Sequence, residues 1–272
     1  MKVTHGAAIA ALLGACNFGG NSGGGGGDDA PIDAAPPGDG TASGSVFDPS
    51  VLRVSVEIDY ETGEAPYTGP MPGFGDTFDL SHANINRLFA GKKMLGIPRT
   101  TANMEDIGAI PDEQVTVADI LAIAAAHRSQ HDVPGLKTYY VVFVSGRFTD
   151  DVGPKAGVLG VSLGSTGVIA MFKDVIASSS AIGNIQRFVE QSTLVHELGH
   201  AIGLVNNGVA LTSAHQDGPH GAHCTNDSCV MYWQNEGASD MAAFATQYVL
   251  SANTILFDAG CLGDVDALSG GL

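Results

Sequence analysis

The chain has 272 residues, with 29 acidic side chains against 12 basic ones and a formal net charge of −17. A surface of that sign repels nucleic acid and anionic membrane surfaces, which excludes both as partners bound by charge. No apolar run reaches the ~18–20 residues of a membrane-spanning helix, and the length suits one domain with one core behind a leader and a linker.

Lys2 precedes an apolar stretch over 6–13 and small residues up to Ala15, the order of a secretory signal, so residues 1–15 are expected to be removed. Leu13-Gly14-Ala15-Cys16 resembles a bacterial lipobox. That resemblance implies export and lipid on Cys16 as the membrane attachment, holding the protein to the cell envelope or surface. A plain signal cut nearby, which would give a secreted protein, is the competing reading. Residues 16–45 are mostly Gly, Asp, Ala and Pro with Phe18 as the one aromatic, too little apolar surface to fold, so they read as a tether. The folded domain is expected over 46–272, as a monomer.

Residues 52–61 (LRVSVEIDYE) alternate apolar and polar side chains, the pattern of a half-buried strand. Residues 79–89 read as a short helix. Thr116 and Asp119 are spaced as a capping box ahead of Ile120, Leu121, Ile123 and Ala124, so a helix is expected over 116–128. Residues 138–145 (TYYVVFVS) are aromatic and β-branched, as in a buried central strand. Over 157–172 two apolar runs flank the turn-like Gly164-Ser165-Thr166-Gly167, which reads as a hairpin or two neighbouring strands. Apolar residues then recur at helical spacing from 185 to about 206, with Gly208 placed to stop the helix. A last amphipathic helix begins at Ser239-Asp240, with Phe244 and Tyr248 toward the core.

The long helix carries His196-Glu197-Leu198-Gly199-His200. Side chains at i and i+4 share a helix face with Cβ atoms about 5–6 Å apart, so the two imidazoles can converge on one ion. Zinc chemistry needs neutral imidazoles and a position left open for water. Glu197 lies beside them to take a proton from that water, whose pKa a zinc ion lowers to about 7. The bland reading is a helix with two surface histidines and a glutamate. Helical context, the Gly203 spacing and export weigh against it.

Residues 196–204 (HELGHAIGL) resemble the metzincin clan of zinc peptidases, whose signature is HExxHxxGxxH followed by a methionine-containing turn. The clan's third ligand would fall on Asn206, a poor zinc donor. Further on, residues 223–231 (HCTNDSCVM) resemble the archaemetzincin segment in which the histidine is the third ligand and the methionine makes the turn. The resemblance implies a zinc-dependent endopeptidase acting on polypeptides. It also implies one catalytic Zn2+ on His196, His200 and His223, Glu197 as general base and Met231 beneath the metal. The fold implied is α+β and zincin-like, a single catalytic domain with a mixed sheet, active-site helix, methionine turn and C-terminal helix. The intervening residues hold His215, His220 and Asp217 as alternative third ligands. Archaemetzincins also carry a structural zinc on cysteines that include a CxxC pair. This chain has no CxxC, which argues against a second ion.

Besides Cys16 the chain has Cys224, Cys229 and Cys261, and in an oxidising compartment a Cys224–Cys229 disulfide is the simplest pairing. Residues 160–164 match GxSxG around Ser162, the elbow of serine hydrolases, but a strand rather than a helix is expected to follow. Residues 157–172 are instead placed as an edge strand for extended substrate. His82, His127 and His131 have no metal spacing and read as surface or capping residues. The rival to a peptidase from another class is an inactive surface lipoprotein that keeps the fold as a binding module, a reading supported by Asn206.

Overall fold

The computed structural model describes residues 45–71, 73, 75–111, 113–251 and 254–269. The expected signal, the lipidation site at Cys16 and all but the end of the tether lie outside the described residues. Among these residues no helix is long and apolar enough to cross a membrane.

The core is a mixed sheet. Its strands are β1 (Arg53–Tyr60), β2 (Met94–Gly96), β3 (Glu105–Asp106), β4 (Leu136–Val144), β5 (Gly160–Ser162) and β6 (Val168–Phe172). The order is β5-β6-β4-β1-β2, with β3 also on β1. All pairings are parallel except β5 with β6, so the sheet ends in one antiparallel strand. Every residue of β4 from Thr138 to Val144 is buried. Burial of successive, oppositely directed side chains means that both faces of this central strand are covered. Each large apolar side chain buried this way contributes about 1.5–3 kcal/mol.

β1 is more buried than its alternation suggests. Glu57, Asp59 and Glu61 are all enclosed. Glu57 accepts hydrogen bonds from Ser129 N, Ser129 Oγ and Gln130 N at 2.7–2.8 Å, and Glu61 from Ile110 N (3.0 Å) and Ser145 N (2.8 Å). The polar row thus anchors loops over the sheet instead of meeting solvent.

Among the described residues six α-helices complete the fold: α1 (Asp79–Leu88), α2 (Val117–His127), α3 (Lys173–Ser178), α4 (Gly183–Ile202), α5 (Ala238–Ser251) and α6 (Ala259–Ser269). The capping box forms: Thr116 Oγ1 accepts from Asp119 N, and the Asp119 carboxylate accepts from Thr116 N. α4 packs against β5, β6, α1 and α5, and every residue from Phe188 to His200 is buried.

Two expectations need correction. α4 ends at Gly203, not Gly208: Gly203 has φ 102, its N–H reaches Gly199 O and His200 O, and Leu204 N donates to Gly199 O at 3.0 Å. Only glycine adopts that backbone without strain, so the chain reverses just after His200. A further helix, α6, follows α5, so the helix beginning near Ser239 is not the last. The mixed α+β architecture that was expected is the one observed.

Candidate metal centre

α4 presents His196 and His200 one turn apart, with their Nε2 atoms 3.0 Å from each other. Their ring centroids are 4.7 Å apart. The third imidazole comes from the loop after α4. Residues 215–217 and 223–225 lie antiparallel, joined by Asp217 N to His223 O (2.7 Å) and Thr225 N to His215 O (2.8 Å). This pairing carries His223 back over the helix, with ring centroids 5.4 Å from His196 and 4.8 Å from His200.

Backbone carbonyls orient two of the three rings. His196 Nδ1–H donates to Val230 O and His223 Nδ1–H to His220 O, each at 2.6 Å. With the proton held on Nδ1, each ring turns an Nε2 lone pair toward the centre. Burial pushes the His196 pKa down to about 4, with the neighbouring His223 charge acting in the same direction, and it holds His200 well below its ordinary value. Neutral imidazoles are the form that binds a metal.

Met231 is buried against α4 at Gly199. A Cβ built on Gly199, between the two helical histidines, would stand 2.5 Å from Met231 Sδ, so the methionine occupies the hollow that the glycine leaves. Its turn is pinned by Asn235 Nδ2, which donates to Cys229 O (2.9 Å) and Val230 O (3.2 Å), and by Val230 N bonding Leu256 O (2.9 Å). Glu197 is 1 % exposed and faces the edge strand: a Cβ on Gly160 would lie 3.0 Å from its Cγ and 3.2 Å from its Oε1.

The four donors of His196, His200, His223 and Glu236 lie within 4.8 Å of one another. A tetrahedral zinc with bonds of about 2.0–2.1 Å places neighbouring donors about 3.3 Å apart, so the set fits such an ion. Glu236 was not singled out in the sequence, because Trp233-Gln234-Asn235-Glu236 has no metal spacing.

No protein-family model and no curated protein matches the chain. Two solved structures are similar to it. Archaemetzincin from Methanopyrus kandleri is 12% identical, with a TM-score of 0.47 over 81% of this chain and 97% of that one. A zinc-dependent peptidase from Methanocorpusculum labreanum is 13% identical, with a TM-score of 0.42 over 77% of this chain and 99% of that one.

The other candidates fall elsewhere. His220 stacks on Trp233 with centroids 4.0 Å apart and bonds Asp217 through Nδ1 at 2.9 Å. Asn206, with φ 64, turns out to bond Gln216. Ser162 ends β5 and is followed by a single 3-10 turn (Gly164–Thr166) and then β6, so the strand–serine–helix geometry of a hydrolase elbow is not formed. His82, His127 and His131 join no donor group among the described residues.

His215 belongs to a second group. Its ring, Cys224, Asp258 and Cys261 offer donors within 4.8 Å of one another, and Cys229 Sγ lies 3.6 Å from Cys261 Sγ. The expected Cys224–Cys229 disulfide is not formed; all three cysteines are free and buried. Hydrogen bonds from Cys229 and Cys261 pull the Cys224 thiol well below its ordinary pKa, while burial and the Cys224 charge hold Cys229 up. His215 Nε2 is fixed at 2.7 Å by Asp264, which also accepts from Thr212 N. A histidine from the loop after α4 and Asp258 stand with Cys224 and Cys261, so the absence of a CxxC motif did not exclude a second donor set.

Proposed function

We propose that this protein is a zinc-dependent endopeptidase in which Glu197 is the general base. The observation that carries the reading is the convergence of His196, His200 and His223 beside Glu197 and the edge strand. Three imidazoles suit zinc, which when bound supplies a Lewis acid that lowers the pKa of water to about 7 and polarises a carbonyl.

The protein's own groups supply the rest. Phe172 N bonds Leu159 O and Leu163 N bonds Val168 O, so alternation along β5 directs the N–H and C=O of Gly160 and Ser162 away from β6. An extended peptide adds as a strand along them, with side chains alternating toward and away from the protein. Glu197 takes the proton of the attacking water and delivers it to the leaving amine, so the peptide bond breaks without a covalent enzyme intermediate. His215, Cys224 and Cys261, with Cys229 and Asp258 alongside, suit a second ion of purely structural role, because thiolates and an imidazole make a closed donor set.

The test compares zinc-loaded wild type with Glu197→Gln on a random peptide library. The variant is expected to keep its zinc and lose about 100- to 10,000-fold in hydrolysis. Equal rates in the two proteins, or no zinc at the three histidines, would sink the reading. Zinc without cleavage in the wild type would leave the binding module.

A further inference from the structure

We infer that Glu236 is a fourth protein ligand of the same metal in the resting protein, and that its carboxylate must leave before a peptide carbonyl can bind. The inference rests on the metallopeptidase reading of the centre and adds a gate to it.

Glu236 ends the 3-10 turn Trp233–Glu236, and both sides of that turn are held. Ahead of it, Asn235 is buried and tied to Cys229 O and Val230 O, the same Val230 O that orients His196. Trp233 lies flat on His220, whose carbonyl orients His223. Behind it, Gly237 bridges Val158 and Ala238 N donates to Gly157 O at 3.2 Å, tying the turn to the residues that lead into β5. The carboxylate is thus delivered by backbone fixed on the methionine turn and on the approach to the edge strand. Its Oε1 stands 2.9 Å from His223 Nε2, the atom that faces the centre, and the side chain remains 25 % exposed.

Three imidazoles and a carboxylate complete a tetrahedron, which is a closed site, whereas catalysis needs one position open to water and substrate. With Glu236 on the ion the fourth tetrahedral position would be taken, so the carboxylate would have to swing aside for water to be held there beside Glu197. Partial exposure leaves Glu236 a path toward solvent, and its neighbours Gly237 and Ala238 are joined to residues 157 and 158, which lead into β5. A ligand that needs the open form binds with an affinity reduced by the fraction of protein that is open.

The experiment uses the full chain loaded with Co(II) and acetohydroxamate, a small metal-binding probe, titrated by the change in the cobalt visible spectrum. Glu236→Ala and Glu236→Gln are compared with wild type, with cobalt stoichiometry and melting temperature as controls. Both variants are expected to bind the probe about tenfold more tightly than wild type, because neither an alanine nor a neutral amide competes for the metal. The alternative is a carboxylate that pairs with protonated His223 in the metal-free protein and does not touch the bound metal. In that case neither Glu236→Ala nor Glu236→Gln gains probe affinity over wild type in the cobalt-loaded protein, and the gate is overturned. Wild type that takes up no cobalt at the three histidines would overturn the metallopeptidase reading as well, so the two failures are distinguishable.

Discussion

Glycine stands where the centre has no room for a side chain. At Gly160 a Cβ would meet Glu197 Cγ at 3.0 Å and Thr193 Cγ2 at 3.1 Å, closer than ordinary packing allows. Gly160→Ala is therefore expected to push the Glu197 carboxylate off its position while leaving the three histidines untouched. Because a misplacement near 1 Å costs about 100-fold, kcat/KM should fall at least about tenfold with zinc stoichiometry unchanged. Wild-type kinetics in this variant would remove Glu197 from the cleft edge. At this scale the sequence was legible for the meeting of His196 and His200, because i and i+4 on one helix share a face. It was open for His223 against His215 and His220, which sit in a loop where spacing carries no geometry. Glu236 gave no signal, since its donor partners are 13 to 40 residues away in a different element.

The helix that carries the centre is held at its first half by a buried ion pair. Lys173, at the start of α3, bonds Glu190 of α4, and both are enclosed. Glu190 also accepts from Tyr67 N at 2.7 Å, and the Lys173 ammonium lies 3.6 Å from the Tyr67 ring centroid. Burial raises the Glu190 pKa, and Lys173 opposes that rise. Lys173→Met leaves the carboxylate buried without its partner, which costs about 3–5 kcal/mol, whereas the double variant Lys173→Met/Glu190→Gln should recover much of that loss. A carboxyl raised above its unfolded pKa loses stability as pH rises, so the deficit of the single variant is largest at neutral pH and shrinks as Glu190 protonates. Urea denaturation at two pH values reads both effects; additive single losses would remove the coupling. Helix starts were legible, as at Thr116, because capping is local. The end of α4 was not: the apolar spacing pointed to Gly208, and the chain reversal sets the stop at Gly203.

Across the whole molecule, the His215–Cys224–Cys261 group ties together two segments that are distant in the chain: the loop after α4 and the start of α6. Cys261 N bonds Asp258 Oδ1 at 2.9 Å, so Asp258 both faces this group and caps α6. With a second ion bound, metal analysis should find two equivalents in wild type and one in Cys261→Ala. The variant should also melt several degrees lower, since about 1 kcal/mol corresponds to roughly 2–4 °C in a domain of this size. Equal metal content in the two proteins would show that the cysteines hold none.

What the sequence determined by itself was whatever depends on near neighbours. Strands came from apolar and β-branched runs, helices from caps and 3.6-residue spacing, and the two helical histidines with their glutamate from one turn of one helix. Only the tertiary structure decided the rest. It brought His223, and not His215 or His220, beside the two helical histidines, placed Glu236 opposite them, gathered His215 with Cys224, Cys261 and Asp258 instead of pairing Cys224 with Cys229, and turned the acidic row of β1 inward. Each of these depends on which loops the sheet and α4 bring together, and the energy that selects among those loops is the burial of the whole core rather than any local preference.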